Sequence, residues 1–324
     1  MHKHLEDLIF WSYMTLIPKS IQNTRKNNLD IVPRNYYVQY YINKLVTQVD
    51  FSFLNTSYQQ FTSASNPIYF NPGLNALTMV ELNDIMEDYR IVGGARLSAI
   101  NLKDMELLFS YENLKNRLDH QTILHFQSQQ NVSDNTIVHQ QNIALYYIIK
   151  YPLNKVHSLR FTTDLRYNRQ DWKAIDDYSL QKKPTNSIWI GLKGEYIIDF
   201  SRKIEQNIRK GFRSKLFAEI SCVPTKKTKY MSNIGFDMRN YTPIFPTLIW
   251  ANRLAGATSL GNNRLIYYMG GVDNWIFAKF DQFTPIDTKV NYAYQTLATN
   301  MRGFSQNIRN GSNFIVFSTD IITW

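Results

Sequence analysis

One cysteine, Cys222, in 324 residues leaves no internal disulfide to form and says nothing about redox compartment. No stretch approaches eighteen apolar residues, which excludes a membrane-spanning helix. A transmembrane β-barrel is not excluded, because its strands need only about 9–11 residues and alternate in polarity. Histidine is scarce at six. His120 and His125 are an odd number of residues apart and point to opposite faces of a strand, and His2 and His4 lie at the very start, so no metal site is expected. Gly93-Gly94 has no Lys-Ser/Thr after it and is not a phosphate loop. Ala257-Thr-Ser259-Leu-Gly261 lacks the first glycine of a nucleophile elbow, and Asp176-Asp177 reads as a loop-tip pair. The expectation is a protein that is not an enzyme and carries no cofactor.

What is present is apolar and aromatic material: 44% hydrophobic residues against 19% charged, with 21 Tyr, 19 Phe and 6 Trp. Such rings suit either interfacial girdles at a bilayer or the core of a soluble β protein. The formal charge of +10 comes from short basic runs, Lys182-Lys183 and Lys226-Lys227-Thr228-Lys229, between strand-like segments, and from cations spaced singly among acids. That distribution reads as solvated loops, or loops facing anionic headgroups, and not as a nucleic-acid surface.

Residues 1–30 are a linker or a non-native N-terminal end. Leu8 to Ile17 is long enough for a signal-peptide core, but Glu6 and Asp7 stand where positive charge belongs. The remaining chain, 31–324, reads as strands, except that Met79, Leu82, Ile85 or Met86, and Tyr89 recur at helical spacing and predict a short amphipathic helix between the first two strands. Gly93-Gly94 is expected to open the second strand. Period-two alternation then becomes regular. Leu159, Phe161, Leu165 and Tyr167 share one face against Arg160, Asp164 and Arg166. Ile188, Ile190, Leu192, Tyr196 and Ile198 do the same against Lys193, Glu195 and Asp199. Soluble strands average about 5–6 residues, and these runs are longer, as tilted bilayer-crossing strands are. The strand pattern gives about twelve strands, near 35–53, 91–99, 104–113, 118–129, 136–150, 155–169, 185–200, 211–222, 229–241, 247–260, 263–270 and 313–322. The polar faces carry Arg160, Asp164, Arg166, Lys193, Glu195, Asp199, Arg213 and Glu219 as candidate lumen charges. Alternation alone does not say which face is inside.

Three groups of residues carry a resemblance. Asp199-Phe-Ser-Arg-Lys precedes Lys210-Gly-Phe-Arg-Ser-Lys-Leu-Phe-Ala-Glu219; Asn233 to Tyr241 and Ile249-Trp-Ala-Asn-Arg253 follow. Then Tyr267-Tyr-Met-Gly-Gly-Val-Asp-Asn-Trp275 leads into a long polar excursion, 271–312, that contains Met301-Arg302-Gly303-Phe304. In this order they resemble the bacterial surface antigen superfamily, the barrels of outer-membrane protein assembly and two-partner secretion. More narrowly, the chain is similar to the C-terminal barrel of Bacteroidetes-type proteins with a propeller ahead of it.

The resemblance implies an all-β, antiparallel transmembrane β-barrel in the bacterial outer membrane, incomplete at about twelve of sixteen strands. Gly270 and Gly271 would be the hinge of the long loop. Met301 to Phe304 would be its tip, folded into the lumen, with Arg302 meeting water or one of Asp164, Glu195, Asp199, Glu219 and Asp237. The implied function is protein insertion or translocation. The implied partners are outer-membrane lipid, an unfolded or secreted protein cargo and a periplasmic partner, with no nucleic acid. The competing expectation is a soluble or peripheral β-rich module that binds an acidic polysaccharide or protein.

Overall fold

The computed structural model describes residues 36–323 apart from 51–53, 56–57, 62–68, 72, 100, 102, 134–135, 174–182, 206–207, 226–228, 273–274 and 276–277. Expectations for residues 1–30, Asp176-Asp177, Lys182 and Lys226-Lys227-Thr228 therefore fall outside the described residues. Gln39–Trp324 is one compact unit; of the other, Met1–Val38, only 36–38 are described, without secondary structure.

The described residues are all-β, with no helix. The strands are β1 (Tyr40–Asp50), β2 (Gln59–Gln60), β3 (Asn75–Asp84), β4 (Tyr89–Ser98), β5 (Met105–Asn113), β6 (Asp119–Ser133), β7 (Thr136–Pro152), β8 (His157–Lys173), β9 (Thr185–Asp199), β10 (Arg202–Glu205), β11 (Ile208–Cys222), β12 (Tyr230–Phe245), β13 (Leu248–Gly261), β14 (Arg264–Met269), β15 (Tyr292–Leu297), β16 (Arg309–Gly311) and β17 (Asn313–Thr323). A 13-stranded sheet runs β1-β3-β4-β5-β6-β7-β8-β9-β11-β12-β13-β17, every neighbouring pair antiparallel, with β10 added to β11. β1 and β17 end this path and are not bonded to each other. A second sheet, β16-β14-β15-β2, packs on its inner face.

The alternation expected from sequence builds the large sheet, and its sense is the reverse of a soluble protein. In β8 and β9 the register pairs Leu159 with Tyr196 and Leu165 with Ile190 on the outer face. Phe161 is 55% and Leu192 60% exposed there, and Ile315 of β17 68%. The intervening residues are polar and covered: Arg166 is 3%, and Glu106 and His125 are 0% exposed. Apolar side chains inside come from the small sheet and from wall residues such as Val138, Trp189 and Met231. Leu265, Tyr267 and Tyr294 cluster with Trp189 and Met231 of the wall. Near one rim the outer face carries rings: Tyr89 stacks on Tyr111, His120 on Tyr147 and His157 on Tyr196, with Trp250 further round.

Four sequence expectations are corrected. The region read as an amphipathic helix is β3, a turn and the start of β4. Met79 faces inward and Leu82 outward, while Ile85 and Met86 are exposed turn residues, so the helical spacing came from adding a strand to a hairpin. Asp84 closes that turn by accepting the Tyr89 N–H at 2.8 Å. Gly93 and Gly94 lie in the middle of β4, not at its start. The segment near 263–270, read as a wall strand, is β14 of the inner sheet, and β17 pairs directly with β13. One missed wall strand and one misplaced strand offset each other in the count of twelve. The excursion from the wall thus runs from the end of β13 to β17, longer than 271–312.

At one rim the wall strands are joined through 85–88, 114–118, 153–156, 200–207 (which holds β10) and 246–247; at the other through 51–74, 99–104, 134–135, 174–184, 223–229 and 262–312.

Candidate functional site

Arg166 occupies the centre of the inner face. The pleat of β8 sends Asp164, Arg166 and Asn168 inward together. Arg166 Nε donates to Asp164, while Nη2 reaches Ser221 Oγ at 2.9 Å and Glu219 Oε1 at 3.4 Å. Its guanidinium lies 5.0 Å from the ring centre of Tyr294 and 5.6 Å from that of Tyr58. Tyr58 Oη donates to Glu219 Oε2 at 2.7 Å, and Asn168 Nδ2 donates to Tyr294 Oη at 2.6 Å. Burial, and next the Glu219 carboxylate, push the Tyr58 hydroxyl well above its ordinary range and keep it a donor. Buried charge is tolerated when its partners are this complete.

A second knot lies on β4 to β6. Glu106 accepts Arg96 Nε at 2.8 Å and His125 Nε2 at 2.7 Å. It also accepts the backbone N–H groups of Leu54 and Asn55 at 3.0 and 3.1 Å. One carboxylate thus binds the β1–β3 connection to the wall. Further along that connection Gln59 exchanges two hydrogen bonds with the Phe70 backbone, and Gln140 of β7 donates to the Gln60 carbonyl at 3.2 Å. Together with β14 to β16 this connection forms a plug.

All eight candidate lumen charges lie on the inner face. Asp164, Arg166 and Glu219 meet in the first knot. Arg160, Lys193 and Lys215 surround Glu195 at 3.5, 3.3 and 3.7 Å. Asp199 pairs in register with Arg213 and accepts the hydroxyl and N–H of Ser201. Among the described residues no group of three or more His, Cys, Asp or Glu could hold a metal ion.

The loop leaves β14 through Gly270 and Gly271, with φ of 106° and 82°. A Cβ on Gly270 would overlap the Ser305 carbonyl oxygen. Met301 N donates to Gly271 O at 2.8 Å and Gly271 N to Phe304 O at 3.0 Å, so the tetrapeptide folds back on the hinge. Gly303 has φ 84° and open space where a side chain would be. Arg302 reaches Asp320 of β17 at 3.7 Å, with the two side chains 82% and 50% exposed. Asp320 pairs in register with Ala251 on the inner side of the edge strand. The expectation was water or one of Asp164, Glu195, Asp199, Glu219 and Asp237; Arg302 pairs with none of these five, and its side chain lies largely in solvent. The reason is occupancy: each already accepts from nearer wall or plug groups, with Arg239 and Arg253 both on Asp237. Phe304 is also exposed, whereas Gln306 and Asn307 just after it are buried. Gln306 donates to Asn71 at 2.8 Å and Asn307 to the Asp281 carbonyl at 2.6 Å. Two hydrogen bonds, from Phe283 N–H and the Thr284 hydroxyl, hold the Asp281 carboxyl below its ordinary value.

Sequence reasoning missed Tyr58, Arg96, Glu106, His125 and Tyr294. Glu106 was placed on the polar face of its strand, but nothing in the alternation pointed to a segment fifty residues upstream as its partner.

No protein-family model matches the sequence, and no curated protein matches it. Among solved structures, the chain is similar to BamA from Haemophilus ducreyi lacking POTRA domains 1–3, with TM-score 0.47 and 8% identity over 76% of this chain and 50% of that one. The chain spans about half the length of that protein.

Proposed function

We propose that the protein is an outer-membrane β-barrel wall with an internal plug, non-catalytic, taking part in insertion or translocation of proteins. The observation that carries the membrane part is the inverted burial of the large sheet. A soluble sandwich or peripheral module hides its apolar face, whereas here Phe161, Leu165, Ile190, Leu192 and Ile315 are exposed and Glu106, His125, Arg166 and Glu219 are covered. An apolar surface running across a whole sheet belongs against lipid. β8, at 17 residues, is long enough to cross a hydrocarbon band about 25 Å tall while tilted. The rings of Tyr111, Tyr147, Tyr196 and Trp250 fit an interfacial girdle. The longest connections, 51–74 and 262–312, share one rim, and the opposite rim, the turn rim, is then the periplasmic one in this reading.

The transport part rests on the motif resemblance and on the plug, which covers the part of the inner face around Arg166 and Glu219. Its partners are then lipid at the wall, an unfolded or secreted protein as cargo, and a periplasmic partner at the turn rim.

Spin labels in reconstituted vesicles test the first part. Labels at Phe161, Leu165 and Ile190 are expected to be reached by oxygen and shielded from a water-soluble nickel reagent, with the opposite preference at Lys193. Equal access on both faces overturns the membrane reading. Faster folding of a small outer-membrane protein into vesicles that carry this chain tests the second part, and an unchanged rate removes it.

A further inference from the structure

We infer that the half of the inner face nearest the turn rim is a binding surface for an acidic peptide segment. The plug covers the other half, where Arg166 and Glu219 are buried, and its loop tip touches the turn-rim half at Asp320, whose charge Arg302 offsets. Beyond it the pleat brings Arg213, Arg239 and Arg253 to one level on β11, β12 and β13, each in register with the next. Adjacent strands lie about 4.8 Å apart, so three guanidinium groups stand side by side. Lys215 pairs with Asp237 one step further in, and Lys193 and Arg160 follow beside Glu195.

The acids do not balance these cations. Arg239 and Arg253 share the single carboxylate of Asp237, at 2.9 and 2.7 Å. Arg160, Lys193 and Lys215 share that of Glu195 at no closer than 3.3 Å. Arg213 faces Asp199 with no hydrogen bond or ion pair to it among the described residues. Six cations thus meet three carboxylates. The neighbouring knot of Asp164, Glu219 and Arg166 carries one net negative charge and offsets only part of the excess. The five cations paired to Glu195 and Asp237 have side chains 26 to 43% exposed, so water reaches them and so can a ligand.

An anion fits this face because guanidinium groups keep unused N–H donors after sharing one carboxylate, and Arg recognises carboxylates through two parallel bonds. A peptide fits better than inorganic phosphate because apolar groups are interleaved with the charges. Phe217 lies 5.3 Å from Lys193 and 5.7 Å from Lys215, and Ile197 shares the level of Lys215; both side chains are half-buried. An extended segment with Glu or Asp alternating with apolar residues would satisfy both sets. Its biological source rests on the transport reading. Binding itself does not, and the two can fail separately.

The test uses the full chain in detergent micelles and a fluorescent peptide that alternates Glu with Phe and Val. Anisotropy is expected to show saturable binding that weakens with salt and is lost when Gln replaces Glu. Arg213→Gln, at a side chain with no bonded partner to orphan among the described residues, is expected to weaken binding about tenfold, the size of one charge-assisted bond. Arg239→Gln is expected to weaken it similarly, and Lys103→Gln at the far rim to leave it unchanged. Circular dichroism confirms that each variant is folded. Equal loss in Lys103→Gln, no loss in Arg213→Gln, or tighter binding of tripolyphosphate than of the peptide each overturns the inference.

Discussion

The hydroxyl of Tyr58 donates to Glu219 at 2.7 Å, and with that bond a segment between β1 and β3 is fixed to a strand more than one hundred and sixty residues later in the chain. Glu219 keeps Arg166 and Ser221 if the hydroxyl is removed. Tyr58→Phe is therefore expected to leave the wall intact and loosen the plug, by about 1.5–3 kcal/mol for a bond to a charged group. Hydrogen exchange at residues 58–61 is expected to quicken while exchange in β8 and β11 stays slow. Uniform quickening would mean that plug and wall unfold together.

The hinge and the tip of the loop should differ in tolerance although both are glycine at positive φ. At Gly303 a side chain meets open space, so alanine costs only the backbone strain of about 1–2 kcal/mol. At Gly270 the added carbon also overlaps the Ser305 carbonyl, and that backbone cannot swing away like a side-chain end. Gly270→Ala is expected to lower the urea midpoint clearly more than Gly303→Ala. Equal midpoints would remove the close approach at the hinge.

Much of this wall was legible in the chain because period two is written directly into residues such as those of β8 and β9. What period two lacks is a sign: it separates Leu165 from Arg166 without saying which is covered. The plug supplies the sign, and it is made from distant pieces, Tyr58, Tyr268 and Tyr294 among them, that no local pattern joins. β14 carried a local clue. Leu265-Ile-Tyr-Tyr268 is apolar on successive residues, the mark of a strand buried on both sides. β3 was hidden because Leu77 and Met79 face inward among the polar Asn75, Glu81 and Asn83 while Thr78 faces outward, so neither face reads as one kind, and the turn after it added Ile85 and Met86.

Asp281 gives the loop an acid limit. Its carboxyl is held below its ordinary value by the Phe283 N–H and the Thr284 hydroxyl, so the turn is favoured at pH above the unfolded value of about 3.9. That contribution fades as pH falls through the lower, folded value. Exchange protection of the Phe283 amide, corrected for the intrinsic rate, is expected to be flat near neutrality and to drop in acid. In Asp281→Ala the protection should be low throughout, and retained protection would show that the carboxylate does not hold the turn.

The pair of Arg302 and Asp320 is open to water, and exposed pairs contribute about 0–1 kcal/mol. Arg302→Glu is accordingly expected to leave protease sensitivity of residues 280–310 almost unchanged. A large increase in cleavage would assign the tip a locking role that its exposure does not suggest.

Leu192 and Phe283 test whether the exposed apolar wall faces lipid. Both are apolar and exposed, Leu192 at 60% on the outer face of β9 and Phe283 at 91% in the long loop. In a soluble protein, arginine at either place would change stability by roughly 0.5 kcal/mol or less. In a bilayer the two part company, because a charge near the midplane of the wall costs about 2–4 kcal/mol while one in a solvated loop costs almost nothing. Leu192→Arg is expected to lower urea stability in vesicles by that amount, and Phe283→Arg to leave it alone. The same two variants in a short-chain detergent, where water lies closer to the wall, should differ less. If Leu192→Arg proves as harmless as Phe283→Arg in vesicles, the exposed apolar face of the sheet is covered by something other than lipid.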